Sequence, residues 1–293
     1  MTAVTTEHHH PHPRVRRGGP DDPTVDRSDP GPKVAEHHRA GTALARIPYP
    51  IEVRTLEVQA RTWINPRMVR LTLGGPGLDG FHTHQADDHV KLVFPDPDGT
   101  LRPPVPAPGS MLTWPRPSPL SRVYTVRRYD AAARELDLDF VVHEGGHASG
   151  WAVSVPLGEQ ITVAGPPGAK SFPHTYDHYL FAVDATALPA LARWLEESPR
   201  DVSAQVVLET YEECEHDYPL AERPGVELIR LTRGGGPSRL ADTVRGLPAR
   251  PGRTFLFAAG ESGDIKPLRA WSQDRCDALF TGYWKRGVAG LED

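Results

Sequence analysis

The pattern of apolar and polar positions changes character twice along the chain. Residues 1–46 are rich in Pro, His, Arg and Asp and hold almost no periodic apolar positions. Such a segment cannot bury enough surface to offset the entropy of ordering it, so it reads as a disordered tail. From residue 51 to 164 the pattern alternates with period two and is broken repeatedly by turn residues, which predicts short antiparallel strands. Six are predicted: Ile51 to Gln59, Met68 to Leu73, His89 to Phe94, Ser121 to Arg127, Glu135 to Val142 and Gln160 to Val163. Strands of this number and length suit a small closed barrel, which leaves no sheet edge free. Between the third and fourth runs, Pro95 to Pro119 holds nine prolines. It is expected to be an excursion outside strand and helix interiors, wrapping over the barrel or over the outer face of a cofactor bound there.

Beyond Phe172 short apolar runs alternate with helical spacing. Strands are predicted at Tyr179 to Val183, Ala204 to Tyr211, Val226 to Leu231 and Thr254 to Ala259, and helices at Ala187 to Glu197, Ser238 to Arg245 and Asp264 to Asp274. Thr186 stands where the first helix needs an N-cap, and Pro189 falls in its first turn, where a missing N–H costs little. This alternation predicts an open, mostly parallel α/β sheet with crossover helices. Ligands of such sheets bind beyond the carboxyl ends of strands, which nominates Asp184 and Thr186 at one strand end and Gly260, Glu261 and Ser262 at another. No GxGxxG motif accompanies them. The expected organisation is a tail (1–46), a barrel domain (47–172) and an α/β domain (173–293).

Composition removes several function classes. The 293 residues carry a formal charge of -5 with no basic stripe, which argues against nucleic acid as a partner. Two cysteines, Cys214 and Cys276, can build neither a disulfide framework nor a multi-cysteine zinc site. No apolar run approaches the ~20 residues that cross a bilayer, and the N-terminus lacks the apolar stretch of a secretory signal. A cytoplasmic protein without a membrane span is expected. His8, His9, His10 and His12 lie in a segment without preorganised partners, so no metal site is assigned to them.

The densest chemistry lies in residues 120–151. Arg122 and Tyr124 alternate onto one face of a strand. A guanidinium there can meet a phosphate through two parallel hydrogen bonds while the phenol ring lies flat on an isoalloxazine. The Gly-rich turn that follows, with Ala148, Ser149 and Trp151, offers backbone N–H groups and a hydroxyl to a pyrophosphate. The layout suits a flavin dinucleotide.

A barrel with an Arg-x-Tyr-Thr strand ahead of an open α/β domain resembles the ferredoxin-reductase superfamily. Within it, the chain is most similar to the siderophore-interacting protein family. The resemblance is carried by ADDHVKLVFP (86–95), RVYTVR (122–127), DFVVHEGGHASGWA (139–152), DATALPAL (184–191), FAAGESGDIKPLRAW (257–271) and GYWKRG (282–287). It implies FAD on the barrel and reduction of a ferric siderophore by NAD(P)H or a reduced ferredoxin. It also implies residue roles. Arg122 would pair with the FAD phosphate, Tyr124 would stack on the flavin and Thr125 would bond its ring edge. Val141 and His143 would line the cofactor, with Ala148, Ser149 and Trp151 completing the pyrophosphate turn. The family's basic substrate patch maps onto Lys91 and Arg127, with Lys266 or Arg269 as a third member or as contacts to an NADPH phosphate. Arg230, Arg233 and Arg239 are further candidates for that phosphate. The chain departs from the family's usual Gly-Asp-Glu-Thr by placing Val183 and Ala185 around Asp184, and carries His147 where a proline is usual. Two rival functions stay open: an NAD(P)H:flavin or electron-transfer reductase without a siderophore site, and a siderophore- or flavin-binding module without turnover.

Overall fold

Residues 24–288 are described by a computed structural model of the chain. The earlier part of the expected tail, with its histidine run, lies outside the described residues. Its later part is ordered, which corrects the expectation for 24–46. Helix α1 (Pro30–Ala40) begins on a proline whose fixed φ suits a first turn. It buries Val34 against Tyr49 and Ala169. Strand β1 (Ala45–Pro48) then pairs antiparallel with residues 168–171. Polar anchors replace the missing apolar periodicity: His37 Nδ1 lies 2.8 Å from Ser171 Oγ, His38 Nε2 2.7 Å from Gln85 Oε1, and the His38 ring stacks on His174 at 4.3 Å.

The barrel strands follow the alternation closely. They are β2 (Val53–Asn65), β3 (Met68–Gly74) and β4 (His89–Val93). A short hairpin of β5 (Val105–Ala107) and β6 (Met111–Thr113) comes next, then β7 (Ser121–Asp130) and β8 (Glu135–Val141). Helix α2 (His147–Ser154), β9 (Gln160–Ala164) and β10 (Gly168–Ser171) complete this half. The barrel order is β2-β3-β8-β7-β4-β9, and β9 closes it by pairing with both β2 and β4. Its interior is filled by every second residue, among them Leu56, Val58, Leu71, Val90, Leu92 and Leu138. Burying each of these side chains contributes about 1.5–3 kcal/mol before entropy is counted. The Pro-rich excursion differs from expectation only in its hairpin, where Pro106 sits within β5; a two-stranded ribbon is all edge and tolerates it.

The second half is a five-stranded parallel sheet. Its elements are β11 (His178–Asp184), α3 (Leu188–Glu197), β12 (Ala204–Thr210) and β13 (Val226–Thr232). Then come α4 (Leu240–Gly246), β14 (Thr254–Glu261), α5 (Ser262–Ile265), α6 (Pro267–Ser272) and β15 (Asp277–Trp284). Strand order is β13-β12-β11-β14-β15. The chain builds outward from β11 in one direction and then from β14 in the other, so the order reverses between them, where such sheets open a crevice.

Helix α3 is buried along Leu188–Leu195 because it is sandwiched, with the sheet on one side and the barrel on the other. Arg193, within that run, hydrogen-bonds the Val126 carbonyl at 2.9 Å and Thr83 Oγ1 at 3.0 Å on the barrel side. Across the same junction Tyr218 donates to Asp139 Oδ2 at 2.5 Å, and Asp139 is held by a two-point pair with Arg70 at 2.7 and 2.8 Å.

Candidate active site

A single cleft of about 1730 Å³ runs from the outer face of β7 to the carboxyl ends of β11 and β14. That exceeds the ~300–1,000 Å³ of ordinary small-ligand sites and has room for a dinucleotide with a second ligand beside it.

At the barrel end stand Arg122, Tyr124, Thr125, Val141 and His143. Among the described residues the Arg122 guanidinium makes one hydrogen bond, to the Ser121 carbonyl at 2.7 Å, which leaves most of its donors uncommitted there. Tyr124 is half-buried and rests on Phe140, ring centroids 4.1 Å apart; Phe140 and Phe94 in turn pack on Trp151. Tyr124 is therefore both a barrel-core aromatic and a wall of the cleft, and the packing behind it stiffens its ring. Burial pushes its hydroxyl pKa up.

The expected pyrophosphate turn is instead the N-terminus of α2. Gly146 precedes it with no side-chain cap, which leaves the first backbone N–H groups of the helix, around Ala148 and Ser149, pointing at the cleft. This end suits an anion. Gly146 is needed for close packing: a Cβ there would come within 2.3 Å of Ser149 Oγ and 2.5 Å of the His143 ring. The Ser149 hydroxyl lies 3.3 Å from both the His143 and the Gly146 carbonyls, which fixes the turn, and Ser149 lines the cleft. One expectation is corrected. Trp151 lies on the inner side of α2 against Phe94 and Phe140, and does not line the cleft.

At the sheet end Asp184 organises the crevice. Its Oδ1 accepts from the Thr186 backbone at 2.8 Å and hydroxyl at 2.5 Å, while Oδ2 accepts from Glu261 N and Trp284 Nε1, both at 2.8 Å. Asp184, not Thr186, is thus the cap of the turn leading into α3. Burial raises its pKa against these hydrogen bonds. Glu261 is buried and caps α5, accepting from Asp264 N at 2.8 Å and Arg286 N at 3.0 Å. Both carboxylates are spent on the frame of the crevice and shape it for a ligand. Gly260 and Ser262 stand behind the wall. Gly260 has φ +141°, and a Cβ on it would meet the Asp184 carboxyl at 2.4 Å. Ser262 donates to the Trp284 carbonyl at 3.0 Å.

The basic candidates divide. Lys91 lines the cleft with its ammonium 5.0 Å from the Trp114 ring centre. Arg127 does not. Its guanidinium is buried and clamped to Glu196 of α3 at 2.6 and 2.9 Å, because a β-bulge between Val126 and Arg128 turns it to the domain junction. Lys266, Arg269, Arg230 and Arg239 also lie off the cleft; Arg269 covers the Phe280 ring at 4.6 Å. Arg233 does line it, paired with Asp264 at 2.6 Å. The cleft adds cations that spacing could not nominate: Arg116 from the Pro-rich excursion, Lys170 from β10, and Lys285 and Arg286 after β15.

The comparisons with known proteins match this geometry half by half. Residues 57–170 match the family model for the siderophore-interacting FAD-binding domain, and residues 176–287 match that for siderophore-interacting proteins. The chain belongs to the siderophore-interacting protein family. It is 33% identical over 244 residues to the ferric vibriobactin reductase of Vibrio cholerae, covering 80% of this chain and 90% of that protein. It is 41% identical over 249 residues to the NADPH-dependent ferric-chelate reductase of Escherichia coli, covering 82% and 95%. A solved siderophore utilization protein from T. fusca superposes with TM-score 0.77 at 37% identity, covering 85% of this chain and 98% of that one. Barrel first and parallel sheet second is also the ferredoxin-reductase arrangement.

The residues present fit FAD: an Arg122 guanidinium with uncommitted donors, an uncapped α2 N-terminus behind Gly146, and a stiffened Tyr124 ring share one wall. Bound there, a flavin would accept two electrons as hydride and release them singly, which is the chemistry a ferric chelate requires. No helix among the described residues is long and apolar enough to cross a membrane.

Proposed function

We propose that the protein reduces ferric siderophores with FAD held by Arg122, Tyr124, Thr125, Val141, His143 and the α2 N-terminus around Ala148 and Ser149, and with NADPH as donor. The observation that carries this reading is the continuity of the cleft: the flavin wall, the β11/β14 crevice and a rim of Lys91, Arg116, Lys170 and Lys285 all open into one volume. A dinucleotide seated at Asp184–Thr186 and beside Glu261 would present its reactive end toward β7. A negatively charged ferric chelate would be drawn to the rim. Siderophore oxygens are hard donors matched to Fe(III), so one added electron loosens the complex. One NADPH supplies two electrons, reduces two ferric chelates and leaves NADP⁺, one proton and two Fe(II). NADPH is favoured over NADH because Arg233 and Arg286 flank the sheet end of the cleft. Use of that donor and the two free cysteines point to the cytoplasm.

The test is a charge reversal, Lys91→Glu, on the FAD-loaded protein. The KM for a ferric siderophore should rise about tenfold or more while anaerobic reduction of the flavin by NADPH keeps its rate. An unchanged KM would favour a flavin or electron-transfer reductase without a chelate site.

A further inference from the structure

Two adjacent buried carboxyls lie on the barrel side of the domain junction, and of the two Asp87 lines the cleft. Asp88 is 1% exposed and its Oδ2 accepts four hydrogen bonds: from Tyr49 Oη at 3.0 Å, Thr83 Oγ1 at 3.0 Å, His84 N at 2.7 Å and Gln85 N at 3.0 Å, while its Oδ1 has no partner among the described residues. Asp87 is 7% exposed, lines the cleft, and its Oδ1 has no hydrogen-bond partner among the described residues. A charged carboxylate left that way is costly, so the neutral acid is the favoured form. Burial first, and then the neighbouring Asp88, raise its pKa from 3.8 to about 7, against the pull of Lys170 on β10 and Arg193 on α3.

The place of Asp87 gives that acid a use. It lies two residues before His89, and His89 pairs in register with Thr125, the residue expected at the flavin's ring edge. From the opposite domain Tyr283 on β15 lines the same cleft, and its Oη is likewise buried without a hydrogen bond of normal geometry. Burial first, and then the charge of Asp87, push that phenol's pKa up, against a hydrogen bond with the Thr125 side chain. Both groups line the cleft where barrel and parallel sheet meet.

We propose, resting on the flavin reading above, that Asp87 is the proton-exchanging carboxyl of the cleft, holding a proton at Oδ1 for the bound flavin. Each turnover brings in one hydride and one proton and sends out two electrons and two protons. Asp87 gives up its proton as the hydride arrives from NADPH, leaving NADP⁺ and a carboxylate. It takes one proton back as the two electrons pass singly to two Fe(III) centres, and the other proton leaves to solvent.

The test is made on the full-length FAD-loaded protein, wild type and Asp87→Asn. A reduced-minus-oxidised infrared difference spectrum of the wild type should show loss of a protonated-carboxyl C=O band. Its flavin midpoint potential should change slope with pH near neutrality. In D87N both features should vanish while the flavin stays bound. Flavin reduction in the wild type without any carboxyl band change would overturn the proposal, as would a D87N protein that keeps the band and the slope change. The wild-type spectrum decides the matter even where D87N does not fold. Protein that binds no flavin at all would sink the functional reading and this inference together; flavin without the carboxyl signal would sink this inference alone.

Discussion

Arg127 and Glu196 clasp the barrel to helix α3 through two hydrogen bonds of 2.6 and 2.9 Å. Arg127 is almost entirely out of solvent, whereas Glu196 keeps 43% of its side chain exposed. Removing the guanidinium therefore acts on the junction and leaves no deeply buried anion behind. Arg127→Met should cost about 2 kcal/mol of stability, less than the loss of a fully buried pair. It should leave the KM for a ferric siderophore within twofold of wild type. Thermal melts and steady-state kinetics check both halves, and a large KM effect would return Arg127 to the substrate patch.

Arg122 offers donors that no other described residue claims. Arg122→Ala should weaken FAD binding by about 10–100-fold, the loss expected of a charge-assisted phosphate pair. The melting temperature of the flavin-free protein should stay nearly unchanged. Fluorescence titration with FAD measures the first and calorimetry the second.

Gly260→Ala places a methyl group against the Asp184 carboxyl at a backbone angle that alanine rarely adopts. Asp184 would have to let go of Glu261 N and Trp284 Nε1. The variant should lose about 2–3 kcal/mol of stability and raise the KM for NADPH more than that for the chelate. Separate kinetics in each substrate distinguish this outcome from a general loss of activity.

Two buried groups shape the pH dependence of stability in opposite senses. Asp87 titrates near 7 in the folded protein against an ordinary 3.8, so the folded state binds the extra proton between those values and stability falls as pH rises through them. His174, held down to about 4 by burial and by its stacked partner His38, binds fewer protons when folded. Its contribution is present above pH 6.5 and is lost as pH falls toward 4. Between about pH 4 and 6.5 these two contributions oppose each other, and His38, His84 and His178, likewise held down by burial, add to the rising one. Asp87→Asn should make the rise steeper and leave the variant about 2 kcal/mol more stable than wild type at pH 8. Urea denaturation across the range checks the slopes.

Much of this was legible in the sequence, for identifiable reasons. The barrel strands showed because each buries one face, so Leu56, Val58, Leu71, Val90 and Leu92 fall on alternate positions. The flavin wall showed because Arg122 and Tyr124 alternate onto one face of the same strand. Helix α1 did not show, since histidine contacts to Ser171, Gln85 and His174 anchor it more than any apolar stripe. Strand β15 was missed because it is a half-buried edge strand carrying Gly282, with weak alternation. Arg127 was misplaced by one bulged residue. Trp114 and Arg116, Lys170, and Lys285 reach the cleft from three separate segments, and only the topology brings them together. Asp87 drew no attention in the sequence, because only the fold shows a buried Oδ1 that no described residue meets, on a residue lining the cleft.

The most direct test of the account is an anaerobic visible spectrum of the FAD-loaded protein, taken as NADPH and then a ferric siderophore are added. The flavin band should bleach with NADPH and return with the ferric chelate as Fe(II) appears, two per flavin. A protein that holds no flavin, or a bleached flavin that the chelate leaves reduced, would contradict it.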